Sequence, residues 1–313
     1  MNLQQLEYIV AVDNHRHFAR AAEACFVTQP TLSMMIQKLE EELQVKIFDR
    51  SRQPVEPTKA GVLMLQQARK ILNESRRMHE IVAELNEQIS GRLNIGIIPT
   101  LAPYLLPYFV KPLLEKYADL ELNIEEMNTQ TITESLKNEQ IDLGILVTPL
   151  QEKGIQEVPL FTEKFYAYVA DSEGIYKKEY LLPEDLDVNR LWILEEGHCF
   201  RTQVLNLCEI RRDFKMEGRF KIAAGSFETV MNLVDHYGGL TIVPELVALK
   251  MPKNNRLKSF SAPVPVRQVS LVALDSFPRR KIVEVLQKEI VQSLPKELKI
   301  KHESERRITI WWG

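Results

Sequence analysis

Hydrophobic side chains recur at helical spacing through the first forty residues of the chain. One stripe begins at Leu3, and small Ala21 and Ala22 allow two later helices to approach closely. The inner stripe of the second helix of this pair consists of four apolar residues, Leu32, Met35, Ile36 and Leu39. Two short helices joined by a tight turn predict a helix-turn-helix, and a plain helical hairpin with one polar face is the alternative.

The outward face of the second helix is polar. Thr28 is a candidate cap, and Pro30 fits the first turn, where its missing N–H has no effect. Short polar side chains suited to base edges and phosphates in a major groove follow, namely Gln29, Thr31, Ser33, Gln37 and Lys38. Arg50 and Arg52 flank a turn, which predicts a wing that reaches a DNA phosphate. All of these residues, Thr28 and Pro30 included, are predicted to contact DNA, whereas Cys25 is expected to be a packed thiol.

A stripe with alternating spacings of four and three follows Thr58, a candidate helix cap. Its positions are Met64, Ala68, Ile71, Ser75, Met78, Val82, Leu85 and Ile89. A helix of about 30 residues spans roughly 45 Å, and such a rod is expected to have nothing within its own chain against which to bury the stripe. The pattern therefore predicts a two-chain coiled coil that holds two DNA-reading units at a two-fold-related site. Packing of the stripe on the protein's own body is the alternative.

Beyond residue 90 the pattern changes to short apolar runs separated by helical segments. The runs lie at 93–98, 122–125, 142–147, 192–194, 220–222, 240–243 and 269–273. This alternation predicts an α/β arrangement with a parallel or mostly parallel sheet. Ligands of such sheets bind at the carboxyl ends of strands, where Thr100 and Thr129 fall, although either threonine could equally be a helix cap.

Composition narrows the class of protein. The 313 residues are 45% hydrophobic, which is enough core for two or three domains. We find no apolar run near 18 residues and no start resembling a signal peptide, so a cytoplasmic protein without a membrane segment is expected. The formal charge of −3 gives no general nucleic-acid signal, so DNA binding depends on local placement, with the acidic run 40–42 at the far end of the reading helix. We find no glycine-rich phosphate-binding loop and no cluster of metal ligands, so no cofactor is expected.

Two of the three cysteines, Cys199 and Cys208, lie close together. After Gly197 the segment has a helical pattern, in which nine residues place the two thiols roughly 13 Å apart along the axis and facing nearly opposite ways. A disulfide needs Cα atoms within about 7 Å, so the helix would have to come apart for a bond to form. The pair is either a conditional redox switch, which suits a reducing cytosol, or two buried apolar residues, and spacing alone favours neither.

Three motifs of the first domain occur in the order expected of one known family. They are Phe18-Ala19-Arg20-Ala21-Ala22-Glu23-Ala24, Thr28-Gln29-Pro30-Thr31-Leu32-Ser33 and Leu39-Glu40-Glu41-Glu42-Leu43. With them the chain resembles LysR-type transcriptional regulators over nearly its whole length. The resemblance implies a winged helix-turn-helix domain at 1–58, a dimerising linker helix at 59–90 and a two-lobed, periplasmic-binding-protein-like α/β regulatory domain at 91–300. The charged tail at 301–313 departs from the family, and a short strand against the body or a flexible end are both possible for it.

Within that family, two further motifs resemble the members that sense hydrogen peroxide. They are Gly197-His198-Cys199 followed by Cys208, and Ile98-Pro99-Thr100 with Pro103-Tyr104-Leu105-Leu106-Pro107. The resemblance implies that Cys199 is the peroxidatic thiol and that Cys208 resolves it to a disulfide. It also implies peroxide contacts from Thr100, Thr129, His198 and Arg267. A homotetramer built as a dimer of dimers, which acts with RNA polymerase on peroxide-defence genes, is implied as well.

The chemistry needs a thiolate, and an ordinary cysteine with a pKa of about 8.5 is mostly protonated in the cytosol. A helix N-terminus at Gly197-His198 and the Arg267 guanidinium are expected to activate Cys199. Two other functions remain open. One is a LysR-type regulator triggered by a small metabolite between the lobes, with both cysteines incidental. The other is a thiol peroxidase, in which a helix-turn-helix and a coiled coil would have no role.

Overall fold

In the computed structural model, the structure describes residues 1–85, 89–194, 199–207, 224–252, 255–299 and 307–309. The chain divides into two compact units. One contains residues 1–88 and 137–140, and the other contains residues 89–136 and 141–313.

The first unit begins with three helices and a small hairpin, followed by a long helix. The elements are α1 Leu3–His15, α2 Phe18–Ala24, α3 Gln29–Leu43, β1 Phe48–Asp49, β2 Glu56–Pro57 and α4 Lys59–Leu85. The Thr28 hydroxyl accepts the Thr31 N–H and Pro30 lies in the first turn of α3, as the sequence predicts. Leu32, Ile36 and Leu39 are fully buried in one core with α1 and α2. The antiparallel β1–β2 pair forms the predicted wing, so the winged helix-turn-helix is confirmed.

The apolar stripe of α4 is buried in the first half of the helix and exposed in the second. The expectation that nothing within the chain covers the stripe is therefore wrong for the first half. Ala68 is buried and Ile71 half-buried in the core of the first unit, where α4 packs on α1. Further along, Met78 is 71% and Val82 56% exposed. Ile89, the last position of the stripe, lies beyond the end of the helix. Among the described positions of the stripe, only Met78 and Val82 in the second half of α4 are therefore exposed.

The second unit is an α/β module. Its strands are β3 Gly91–Ile97, β4 Leu120–Glu126, β5 Leu143–Thr148, β6 Ile155–Val169, β7 Tyr180–Leu181, β8 Leu240–Pro244, β9 Leu257–Phe260, β10 Val264–Leu274 and β11 Arg307–Thr309. Its helices are α5 Ala102–Lys116, α6 Thr129–Lys137, α7 Cys199–Leu207, α8 Phe227–Tyr237, α9 Glu245–Ala248, α10 Arg280–Ser293 and α11 Lys296–Lys299, with short 3-10 turns at Gly174–Lys177, Pro183–Asp185 and Val188–Arg190.

The sheet is mixed, and the prediction of a parallel or mostly parallel sheet is wrong. Strand β3 pairs in parallel with β4 and β5, but β10 is antiparallel to both β5 and β6. Strand β6 pairs with β10 along its first part and with β8 along residues 165–169, so it passes from one lobe to the other. The apolar-run pattern missed β6 because its sequence mixes Pro159, Glu163 and Lys164 with apolar residues, and alternate positions are only half-buried.

Two other predicted segments have different outcomes. The run 192–194 forms no strand and contributes one isolated bridge, from Leu194 to Ala224. The run 220–222 lies outside the described residues. Of the tail, residues 307–309 form β11, parallel to the start of β10, as in the first of the two alternatives.

Within the described ranges no helix is long and apolar enough to cross a membrane.

Candidate functional site: a buried arginine at the lobe junction

Arg267 is a fully buried cation in the middle of the second unit. It lies on β10, directly opposite Glu163 of β6 in the antiparallel register. Its Nε donates to Glu163 Oε1 over 2.8 Å, and its Nη2 lies 2.8 Å from the same oxygen. A buried charge requires a partner of this kind, because an unpaired ion in a low-dielectric interior is strongly unfavourable.

Glu163 was missed by the sequence analysis, because it lies in the strand that the apolar-run pattern did not predict. Its second carboxylate oxygen accepts the Leu246 N–H over 2.9 Å, at the first turn of α9. In return, the Glu245 carboxylate accepts the Lys164 N–H over 3.1 Å. These reciprocal bonds fix the Glu163 carboxylate to the backbone and so fix the direction of the guanidinium.

Thr100 lies in the turn between β3 and α5 and is 3% exposed. Its hydroxyl accepts a hydrogen bond from Arg267 Nη1 over 3.4 Å. The alternative role of helix cap does not apply, because Leu101 occupies the N-cap of α5 without a side-chain hydrogen bond. The structure thus brings two of the predicted site residues into contact.

Thr129 is the first residue of α6 and is 5% exposed. Asn128 caps this helix, since its Oδ1 accepts the Thr131 N–H over 2.8 Å. The helix packs closely on the sheet: a Cβ at Gly144 would lie 2.6 Å from Ile132 Cγ2. The Thr129 hydroxyl is buried and makes no hydrogen bond to any described residue. Buried polar groups in proteins are nearly always paired, so such a hydroxyl suggests a polar ligand.

Helix α7 confirms the helical prediction over Cys199–Leu207. The ring of Phe200 is buried, with the Arg267 guanidinium 5.2 Å from its centroid. It makes edge contacts with Phe165 and Phe227 at centroid distances of 5.5 and 4.9 Å. The Arg267 charge therefore lies against the first turn of the helix that Cys199 begins. The Cys199 side chain and the whole of His198 and Cys208 lie outside what the structure describes.

Cys25, the third cysteine, caps the C-terminal end of α2 and is half-buried in the core of the first unit. Burial and the nearby Glu7 carboxylate raise the pKa of the Cys25 thiol. The thiol is therefore kept protonated, which agrees with the prediction of a packed, unreactive residue.

In the described part of the chain no cluster of three or more His, Cys, Asp or Glu side chains is placed to hold a metal ion.

The predicted DNA-reading face is open to solvent. Its exposed members are Thr28, Gln29, Pro30, Thr31, Gln37, Lys38, Arg50 and Arg52. Ser33 is half-buried and accepts a hydrogen bond from Arg50 over 2.9 Å, while the Phe18 ring lies 4.9 Å from the same guanidinium. A groove between the wing and the start of α2 also contains cationic or ionisable residues that the sequence analysis did not single out, namely His15, Arg16, His17 and Arg20.

Glu40 differs from the acidic neighbours with which the sequence analysis grouped it. Its carboxylate is fully buried and accepts the Ile47 and Phe48 N–H groups over 2.8 and 3.3 Å. It also pairs with Lys46 and Arg50 at 3.4 and 3.5 Å. Glu40 therefore fastens the end of α3 to the wing.

Comparison with known families defines the class of protein. Residues 3–62 match the family described as bacterial regulatory helix-turn-helix protein, lysR family, and residues 86–295 match the LysR substrate binding domain. Together with the wing and the two-lobed module, these matches make the chain a LysR-type transcriptional regulator.

Individual relatives narrow the class further. The chain is 36% identical to the hydrogen peroxide-inducible genes activator of Haemophilus influenzae, with 90% of this chain and 93% of the relative covered. It is also 36% identical to the DNA-binding transcriptional dual regulator OxyR of Escherichia coli K12, over 91% and 93% of the two chains. The chain belongs to the OxyR family.

Solved structures agree with this assignment. A full-length OxyR variant from Pseudomonas aeruginosa superimposes with a TM-score of 0.76 at 34% identity, covering 93% of this chain and 98% of that one. An H2O2-bound cysteine mutant of Corynebacterium glutamicum OxyR gives a TM-score of 0.62 at 30% identity, covering 93% and 92%.

Proposed function

We propose that this chain is a hydrogen peroxide sensor that controls transcription through the redox state of Cys199. The observation that carries the proposal is the buried group formed by Arg267, Thr100 and the first turn of α7, which Cys199 begins. The unpaired Thr129 hydroxyl at the start of α6 adds a second polar group suited to a small polar molecule.

The first chemical step is a nucleophilic substitution at oxygen. The Cys199 thiolate attacks one oxygen of H2O2, the O–O bond breaks, and the other oxygen leaves as hydroxide, which takes up a proton to become water. Thr100, Thr129 and His198 are proposed to hold the leaving oxygen, and Arg267 to favour the thiolate by its charge. Cys199 is then a sulfenic acid, in which the sulfur has been oxidised and the peroxide reduced.

The second step uses Cys208. Its thiolate attacks the Cys199 sulfur, an S–S bond forms, and hydroxide leaves and is protonated to water. Since α7 extends from Cys199 through Leu207, the disulfide requires that this helix unwind at least in part. Oxidation would therefore bias a two-state segment and alter the arrangement of the regulatory domain. With a reversible disulfide and a DNA-binding domain, which would have no role in a peroxidase, the protein would act as a sensor and not as an enzyme.

The first unit supplies the output. We assign double-stranded DNA contacts to the exposed residues of α3 and the wing listed above, with Gln29 at base edges and Arg50 and Arg52 at phosphates. Pairing through the exposed half of α4 would give a homodimer on a two-fold-related promoter site, and two dimers a homotetramer. Contact with RNA polymerase would convert the change in arrangement into activation of peroxide-defence genes.

Mass spectrometry of the reduced full-length protein before and after brief peroxide treatment tests the chemistry. We expect a Cys199–Cys208 crosslink to appear while Cys25 remains free. In Cys208→Ser, a 1,3-diketone probe should trap the sulfenic acid at Cys199. Cys199→Ser should bind promoter DNA as tightly as the wild type but show no change of footprint with peroxide.

Two results would overturn the proposal. A Cys199→Ser protein whose footprint still shifts with peroxide would place the sensor elsewhere. A cysteine-free variant that is stabilised by a small metabolite, and that responds to it on DNA, would indicate a metabolite-triggered regulator with incidental cysteines.

A further inference from the structure

The Glu163 carboxylate contacts the cation that the proposed sensor chemistry uses. The Arg267–Glu163 pair joins residues 104 positions apart in sequence, and both side chains have 0% exposure. A buried ion pair is weak evidence for stability, because apolar residues of similar volume often stabilise a fold equally well. Stability alone therefore does not account for the pair.

The N–H groups of the Arg267 guanidinium face two different partners. Nε and Nη2 lie on the Glu163 side, and Nη1 points to Thr100. Nη2 is 2.8 Å from Glu163 Oε1 but makes no hydrogen bond of acceptable angle within the described ranges. The guanidinium thus retains donor capacity next to the first turn of α7, while its charge is offset by a carboxylate in direct contact.

The contact with Glu163 weakens what Arg267 can offer another anion. The carboxylate accepts from Nε, lies 2.8 Å from Nη2 and offsets the charge of the guanidinium. A paired Arg267 therefore favours a nearby thiolate less than a lone guanidinium would. The other charged residues on the surrounding elements are Glu157 and Lys164 on β6, Arg201 on α7, Glu228 and Asp235 on α8, and Glu245 on α9.

We propose that Glu163 is a positioning residue that restrains Cys199 by competing with its thiolate for Arg267. This inference rests on the proposed function, since it assumes that Cys199 is the reacting thiol. Glu163 would set how much peroxide the sensor needs before it responds. Its attachment to the Leu246 N–H keeps the carboxylate in place, so the restraint is built into the β6–α9 joint.

The test is Glu163→Gln in the reduced full-length protein. Iodoacetamide alkylation of Cys199 is followed by peptide mass spectrometry across a pH series, and circular dichroism checks the fold. Removal of the negative charge should lower the midpoint of alkylation by about one pH unit, a tenfold rise in thiolate fraction below the midpoint. A midpoint that stays or rises would overturn the proposal.

Three comparisons exclude a merely structural effect. Glu289→Gln removes another buried carboxylate, paired with Lys116 at 2.5 Å, and should leave the midpoint unchanged. In an Arg267→Met background, Glu163→Gln should cause a clearly smaller shift, and an equal shift there would refute action through Arg267. Should Glu163→Gln fail to fold, Glu163→Asp, with its side chain one methylene shorter, should give a smaller shift in the same direction, and no shift would again refute the proposal.

The alkylation experiment needs no peroxide, so it separates the two proposals. If wild-type Cys199 is not oxidised by peroxide, the sensor function fails whatever Glu163 does. If Cys199 is oxidised but its alkylation midpoint is indifferent to Glu163→Gln, only the role of Glu163 fails.

Discussion

A threonine at the end of a strand has two ordinary roles, and local hydrogen bonding decides between them. At α6 the capping role is taken by Asn128, which leaves the Thr129 hydroxyl buried without a partner among the described residues. A buried hydroxyl of that kind is unfavourable for stability by about 1–3 kcal/mol. Its presence next to the sheet therefore agrees better with a role in binding than with a role in folding.

Thr129→Val tests this role at the residue scale. Because the Thr129 hydroxyl is buried without a described hydrogen bond, its removal should not lower the melting temperature and is expected to raise it. The rate of Cys199 oxidation by peroxide should fall by about tenfold to a hundredfold, since a donor to the leaving oxygen is lost. Stopped-flow measurement of peroxide consumption by the reduced protein gives the rate.

Thr148→Val is the matched control for Thr129→Val. Thr148 is equally buried, but its hydroxyl is 2.6 Å from the Ser270 hydroxyl. This variant should lose about 1–3 kcal/mol of stability because Ser270 is left unpaired, while the oxidation rate stays the same. If Cys199 oxidation were slow in Thr148→Val and normal in Thr129→Val, Thr129 would have no role in the peroxide site.

At the scale of elements, the wing depends on one carboxylate. Glu40 lies near the C-terminal end of α3, where the helix dipole disfavours a negative charge. Two backbone N–H groups and two cations from the segment that leads into the wing compensate for this. The orientation of Arg50, which contacts both Glu40 and Ser33, depends on the same joint.

Glu40→Ala should therefore loosen the wing by about 2–4 kcal/mol, since two buried N–H groups lose their acceptor. Hydrogen–deuterium exchange of amides 44–57 in the full-length protein should rise, and affinity for promoter DNA should fall. Glu42→Ala is the control, because Glu42 is exposed and its carboxylate contacts the chain's terminal amine. Unchanged protection of the wing amides in Glu40→Ala would contradict this account.

At the scale of the whole molecule, α4 has two parts with different surroundings. Its first half is part of the core of the DNA-binding unit, and its second half exposes Met78, Ile81 and Val82. Adjacent exposed apolar side chains on a helix suggest a surface that another chain covers. The coiled-coil prediction therefore stands for the second half of the helix as a proposal.

A glutamate on this stripe tests the dimer. Met78→Glu and Val82→Glu should each shift the sedimentation coefficient toward that of a monomer, because a charge would be buried at the interface. Affinity for a full two-fold DNA site should fall, with little change for a half-site. Gln66→Glu, about 120–160° around the helix axis from these positions, should leave both measurements unchanged. If Met78→Glu and Val82→Glu have the same sedimentation coefficient as the wild type, pairing through α4 is ruled out.

Features encoded by local spacing could be predicted from the sequence. The helices of the first unit, the Thr28 cap and the helix at Cys199 depend on neighbours within a few positions, and the structure has all three. The strand-end position of Thr100 followed from a single apolar run. Family resemblance added the cysteine chemistry and Arg267, which no local pattern singles out.

Tertiary structure alone decided the rest, because those features depend on pairings that cross the chain. The sheet is mixed because β6 pairs with β10 in antiparallel orientation. The sequence does not reveal β6 as a strand, because only part of its positions are buried and polar residues lie between them. Glu163 meets Arg267 through a register that joins positions 104 apart, and neither residue signals the other locally. The sequence by itself determined where the local helices lie and predicted the reacting thiol and the DNA-reading helix, whereas the packing of β6 against β10 and α9 decided how the buried Arg267 charge is balanced.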